Sequence, residues 1–144
     1  DFFDADADEA RRAAIEQNAI TLPPPSTYET PQDFVDQYVA DAARYWYDPT
    51  FDARPLWEDV HPNFEAFMQL VGTYGDGYEV PPLDVPVLLA LGRYDYVAPY
   101  ALWDEPRRRP SELTYRLYER SGHTPPYEEP EAFTADLLAW AADL

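Results

Sequence analysis

The sequence predicts an α/β fold: parallel strands with flanking helices over residues 81–144, preceded by a mostly helical region over residues 1–80. Three observations carry that prediction. Val85-Pro86-Val87-Leu88-Leu89-Ala90-Leu91 is continuously apolar rather than alternating, the pattern of a strand buried on both faces of a parallel sheet. A second strand is expected over Leu113 to Tyr118. A closing helix is expected from about Pro130 to Leu144, with Phe133, Leu137, Trp140, Ala141 and Leu144 at helical spacing. Strand, irregular segment, strand and helix in that order is α/β alternation.

The first 80 residues read as short helices between proline-rich connections. Asp6 to Gln17 is a plausible helix with acids in its first turn, where they meet the positive end of the helix dipole. Thr21-Leu22-Pro23-Pro24-Pro25-Ser26 cannot continue it and should run extended. Thr30, Pro31 and Asp33 form a strong start signal, because Thr caps the orphan N–H groups and Pro suits the first helical position. Phe34, Val35, Tyr38, Val39 and Ala42 carry that helix to about Tyr45, and Asp48-Pro49 ends the stretch. A third helix is expected from Pro62 to about Leu70, with Gly72, Gly75-Asp76-Gly77 and Pro81-Pro82 breaking the chain after it.

Composition excludes several function classes. The formal net charge is -18, and all ten basic residues are arginine. Nucleic acid is an improbable partner, since phosphate binding needs a basic face. High-salt adaptation and high-GC coding bias are two open explanations of the acidity. No apolar run approaches the roughly 18 residues of a membrane span. Cysteine is absent, which removes disulfides and thiolate metal sites. No metal-ligand spacing and no glycine-rich phosphate loop is present, so neither metal nor cofactor is expected. The opening Asp1-Phe2-Phe3-Asp4 lacks signal-peptide features, and the expected compartment is cytoplasmic.

Two segments could carry chemistry. Gly92-Arg93-Tyr94-Asp95 directly follows the first strand, where open parallel sheets gather their ligands and catalytic groups. Ser121-Gly122-His123 follows the second strand, so Asp95 and His123 should share one sheet edge. A serine hydroxyl is a poor nucleophile until a base near neutrality takes its proton, and an ordinary imidazole has a pKa of about 6.5. A carboxylate beside the imidazole fixes its tautomer and stabilises the imidazolium that forms.

Gly92-Arg93-Tyr94-Asp95-Tyr96-Val97-Ala98-Pro99 resembles the acid loop of the α/β-hydrolase superfamily, where a strand leads into G-x-x-D-x-x-x-P. Ser121-Gly122-His123-Thr124 and Glu129-Pro130-Glu131-Ala132-Phe133 resemble its histidine segment and the helix start that follows. The S-G-H-T form and the aromatic-rich helical region are most similar to the proline iminopeptidase branch, metal-independent serine aminopeptidases that release an N-terminal proline. The superfamily resemblance covers roughly residues 82–144, and sister esterases share these segments. It implies the C-terminal part of an α/β-hydrolase fold, with residues 1–80 as helical cap and 81–144 as part of the catalytic core. It implies Asp95 as triad acid and His123 as triad base, in the superfamily order of serine, acid, histidine.

The nucleophile has no counterpart. No G-x-S-x-G elbow and no H-G-G oxyanion segment occurs, and Ser26, Ser111 and Ser121 lie in other contexts. The N-terminal half of the same hydrolase is therefore expected upstream as the packed partner, and the chain alone is expected to be inactive. The leading expectation is a serine hydrolase of proline-iminopeptidase-like type, acting on a small peptide, amide or ester. An esterase or other cap-bearing hydrolase is the alternative, and a non-catalytic binding module is the alternative of another class. Some iminopeptidases carry an amine-holding acid directly after the triad aspartate, but Tyr96 stands there. Substrate binding would fall to Trp57, Glu58, Asp59 and Glu65. His61 reads as a helix-entry residue, and Glu128 and Glu129 as helix N-terminal charges.

Overall fold

Strands β1 (Val87–Gly92) and β2 (Leu113–Tyr118) pair in parallel in the computed structural model, which describes residues 2–21, 30–74, 85–103 and 112–144. The register runs from Val87 opposite Leu113 to Gly92 opposite Tyr118. β2 has the bounds expected of it. β1 starts two residues later than the apolar run, because Pro86 has no N–H to give and Val87 N–H makes the first bond, to the Glu112 carbonyl at 2.9 Å. A 3₁₀ turn over Tyr100–Trp103 follows the acid loop.

After β2 come the short α7 (Pro125–Glu128) and the closing α8 (Pro130–Ala142). α8 lies on the sheet through Tyr118 and Phe133, whose ring centroids are 6.1 Å apart. Asp136 adds an ion pair to Arg116 and accepts from the Tyr118 hydroxyl at 3.1 Å. The helix buries none of its residues fully, and Leu138 is 66% exposed.

The first helices differ from expectation in instructive ways. α1 (Phe2–Asp6) precedes α2 (Glu9–Thr21), where the sequence suggests one helix from Asp6. The Asp8 carboxylate accepts from Arg11 N–H at 2.8 Å, so Asp8 acts as a cap and the second helix begins after it. α3 (Pro31–Ala40) has the expected start: Thr30 and Asp33 form a reciprocal capping box with Pro31 in the first turn. Asp41 then separates α3 from the one-turn α4 (Ala42–Tyr45), which the periodicity had merged into a single helix. The turn α5 (Arg54–Trp57) has too few residues to show a period. α6 (Phe64–Tyr74) runs straight through Gly72, so the expected break there is corrected. A glycine inside a helix costs only about 1 kcal/mol relative to alanine and does not forbid it. Residues 22–26, 75–77 and 81–82, read as extended or breaking segments, lie outside the described residues, as does the expected 80/81 boundary.

Two aromatic clusters hold these elements. Phe3, Ala7 and Tyr96 form one, with Phe2, Ile15 and Tyr94 packed on it, and it joins the first two helices to the acid loop. Ala42, Trp46 and Ala53 form the other, with Tyr38, Val39, Tyr45, Phe51 and Trp57 around it. No helix among the described residues is long and apolar enough to cross a membrane.

Candidate active site

The ends of both strands converge on one corner. Arg93 N–H donates to the Tyr118 carbonyl and Tyr94 N–H to the Ser121 carbonyl, each at 2.9 Å, so the two loops leave the sheet as a bonded pair. A side chain at Gly92 would run into the Gly122 and Ser121 carbonyls, and glycine alone allows that approach.

Asp95 sits at this corner and is 4% exposed. Its Oδ1 accepts from the N–H groups of Val97 at 2.8 Å and Ala98 at 2.9 Å. Its Oδ2 lies 2.8 Å from His123 Nδ1. The structure thus brings together the two residues that the sequence placed on one edge. Burial alone would push the Asp95 carboxyl up, but the His123 contact and the two N–H groups outweigh it and hold the carboxyl below its ordinary value. The same hydrogen bond raises the His123 imidazole above its ordinary value against the opposing effect of burial, and the charges of Asp95 and Glu128 add to the rise.

The histidine loop is fastened by groups that sequence reasoning assigned elsewhere. Glu128 accepts from Gly122 N–H at 2.8 Å and from Tyr47 N–H at 2.7 Å. Glu129 accepts from Arg120 N–H and from the Ser121 hydroxyl, both at 2.8 Å. Their reading as simple helix charges is corrected: both reach back across the loop, Glu128 to the buried Gly122 and Glu129 to the buried Ser121. Ser121 is fully buried with its hydroxyl committed to Glu129, so it is no nucleophile for His123. Ser26 and Ser111 lie outside the described residues.

The helical region enters the site through its backbone. The carbonyl of Arg44 accepts from Tyr96 N–H at 3.0 Å, and that of Tyr45 accepts from His123 N–H at 2.6 Å. The Tyr45 ring stands edge-on to the His123 ring at 5.5 Å. From there rings continue outward: Tyr45 to Tyr38 at 4.3 Å, then Tyr38 to Trp57 at 5.0 Å. Tyr38 and Tyr45 stand at helical spacing, but the steps to His123 and to Trp57 follow no local period.

Of the expected substrate-binding residues, Trp57 and Glu58 line an open groove of about 720 Å³ together with Val35, Arg54, Val60 and His61. Asp59 and Glu65 do not line it. Glu58, Asp59 and Glu65 are all exposed, and among the described contacts none hydrogen-bonds to Asp95 or His123. Asp59 adopts φ 64°, a left-handed conformation that Asp tolerates better than most side chains. Among the described residues no cluster of three His, Cys, Asp or Glu side chains could hold a metal ion.

Comparison with known proteins bears on the family. The chain is 31% identical over 144 residues to a Bacillus subtilis (strain 168) protein named "AB hydrolase superfamily protein YclE", covering 96% of this chain. It spans about half of that relative, 51% of its length. No family model matches the chain, and no solved structure matches it. The similarity covers nearly the whole of this chain and supports its membership of the α/β-hydrolase superfamily.

Proposed function

We propose that the chain carries the acid and base of a serine hydrolase of proline-iminopeptidase-like type. The observation behind this reading is the 2.8 Å contact between Asp95 Oδ2 and His123 Nδ1, with Asp95 Oδ1 taken by two backbone N–H groups. A carboxylate so held keeps the imidazole proton on Nδ1 and leaves Nε2 as the basic nitrogen. In this mechanism His123 Nε2 takes the proton of a serine hydroxyl as the oxygen attacks a substrate carbonyl. It then gives that proton to the departing amine or alcohol, and the acyl-enzyme is hydrolysed by water through the same exchange. The serine and the oxyanion donors belong, in this proposal, to sequence outside these 144 residues, and that sequence is the packed partner of the corner. The substrate is a small peptide, amide or ester whose apolar part reaches toward Tyr45, Tyr38 and Trp57.

An esterase is the second reading, and one observation favours it. The residue after Asp95 is Tyr96, whose hydroxyl donates to Asp6 at 3.0 Å, so the position directly after the acid supplies no carboxylate for a substrate amine. The experiment compares a proline anilide with a short-chain acyl ester on the full-length gene product and on its His123→Ala variant. Hydrolysis of either that drops by several orders of magnitude in the variant supports the acid–base role. Undiminished turnover in the variant rejects it. Preference for the ester moves the substrate class to the second reading.

A further inference from the structure

One buried cation lies outside the chemistry just proposed. The Arg11 side chain, in α2, is 3% exposed, and a charge withdrawn from water in this way needs strong partners. Its Nη1 donates to the carbonyls of Ala43 at 3.0 Å and Trp46 at 2.9 Å, and its Nη2 donates to the Tyr47 carbonyl. The guanidinium also lies over the Tyr94 ring, 4.8 Å from its centroid, and near that of Tyr96 at 5.7 Å. The Asp8 carboxylate stands 4.0 Å from Nε and is itself 65% exposed, so a close ion pair does not account for the burial.

These contacts reach both members of the pair. Between the carbonyls that Arg11 holds lie those of Arg44 and Tyr45, which accept from Tyr96 N–H and His123 N–H. Tyr94 and Tyr96, the rings beneath the guanidinium, are the chain neighbours of Asp95. A planar fork with five donors can meet three carbonyls and two ring faces at once, and an ammonium cannot.

We propose that Arg11 is a positioning residue that locks the segment 43–47 and the Asp95 loop into one frame, and so sets the distance between Asp95 and His123. Its catalytic consequence rests on the acid–base reading of that pair, whereas the geometric consequence does not.

The test uses the full-length gene product with Arg11→Lys and Arg11→Met, and reads two quantities. The first is the His123 titration midpoint by NMR; the second is kcat and KM on the substrate that the parent protein hydrolyses. Asp95, Glu128, Tyr38 and Tyr45, the ionisable groups around the ring, are unchanged in both variants. The expected result is a midpoint displaced toward that of an ordinary imidazole, with kcat lower by about 10- to 100-fold and KM within about twofold. Arg11→Lys decides if Arg11→Met does not fold, because lysine keeps the charge and most of the volume. An unchanged midpoint and kcat in Arg11→Lys overturns the proposal. Loss of cooperative unfolding in Arg11→Lys also overturns it, by assigning the residue to global stability. Activity that survives His123→Ala would reject the catalytic reading alone, and a displaced midpoint in Arg11→Lys would still support the geometric role.

Discussion

His123 hangs from Tyr45: its backbone N–H donates to the Tyr45 carbonyl at 2.6 Å, and Gly122 beside it presses on the same carbonyl. A β-carbon at Gly122 would overlap Tyr45 backbone atoms and approach Trp46 Cα at 2.8 Å. Backbone cannot swing aside as a flexible side chain does, so Gly122→Ala should destabilise the fold by about 1–3 kcal/mol. Gly72 offers the contrast, since a β-carbon there meets nothing within 4 Å and the residue lies inside α6. Gly72→Ala should stabilise by about 0.5–1 kcal/mol through the helix preference of alanine. Thermal unfolding of the two variants should move in opposite directions, and a shared direction would contradict the packing described for the loop.

The Asp95–His123 contact predicts a pH window. His123 is raised above its ordinary 6.5, so its share of stability is complete below about that pH and lost as pH rises through the folded value. Asp95 is lowered below its ordinary 3.8, so its share is complete above about that pH and lost as pH falls through the folded value. The stability difference between the parent protein and Asp95→Asn should therefore be greatest between pH 3.8 and 6.5. Denaturant titrations across pH 3 to 9 would measure it, and a difference independent of pH would contradict the contact. The proposed reaction needs the neutral imidazole of His123, so the acid limb of kcat/KM should lie above 6.5.

Parts of this corner were legible in the sequence because they follow local rules. An unbroken apolar run ending in Gly92, and a second strand ending before Gly122, are enough to place Asp95 and His123 on one edge. The capping box at Thr30 is equally local, since its partner is three residues away. Arg11 gives no such sign, because its acceptors are carbonyls 32 to 36 residues away, and every residue has a carbonyl. Glu128 was visible as an acid at a helix start, but its bond to Tyr47 spans 81 residues and depends on how the two regions pack. Short turns such as α5 fall below the length at which periodicity speaks.

Glu129 and Ser121 form a buried donor–acceptor pair whose cost of breaking can be measured. Glu129→Ala would leave the fully buried Ser121 hydroxyl without its acceptor, at a cost of about 1–3 kcal/mol. Adding Ser121→Ala removes the orphaned donor and should recover part of that loss, a coupling that a double-mutant cycle reads directly. Additive losses would mean the two groups do not depend on each other.

Glu128→Gln removes the charge and one of two acceptors at the same loop. Gly122 N–H and Tyr47 N–H meet different oxygens of Glu128, and the single amide oxygen of glutamine can serve one of them, so the variant should also lose about 1–3 kcal/mol of stability. What disappears is a negative charge that helps raise the His123 imidazole. The His123 midpoint, followed by NMR, should fall in Glu128→Gln but stay above that of Asp95→Asn, which loses the larger contribution. A midpoint that rises would reverse the electrostatic account.

The sheet and α8 predict how the 144 residues behave on their own. Parallel strands are ordinarily covered on both faces, yet β1 and β2 pair only with each other among the described residues. On α8, Leu137 is 37% and Leu138 66% exposed, an apolar surface that water tolerates poorly. Two strands with a few helices are a thin basis for independent stability, and total stability is only about 5–15 kcal/mol for an ordinary domain. The superfamily relative is about twice as long as the segment it shares with this chain, which leaves room for the elements that would cover these faces. Residues 1–144 expressed alone should therefore unfold without a sharp transition and bind a dye that reports exposed apolar surface. Adding the N-terminal half proposed above should sharpen the transition and release the dye. A compact monomer of residues 1–144 with a cooperative transition and no dye binding would instead describe a self-sufficient unit. That result would favour a non-catalytic binding module, with Asp95 and His123 retained as loop fasteners rather than as acid and base.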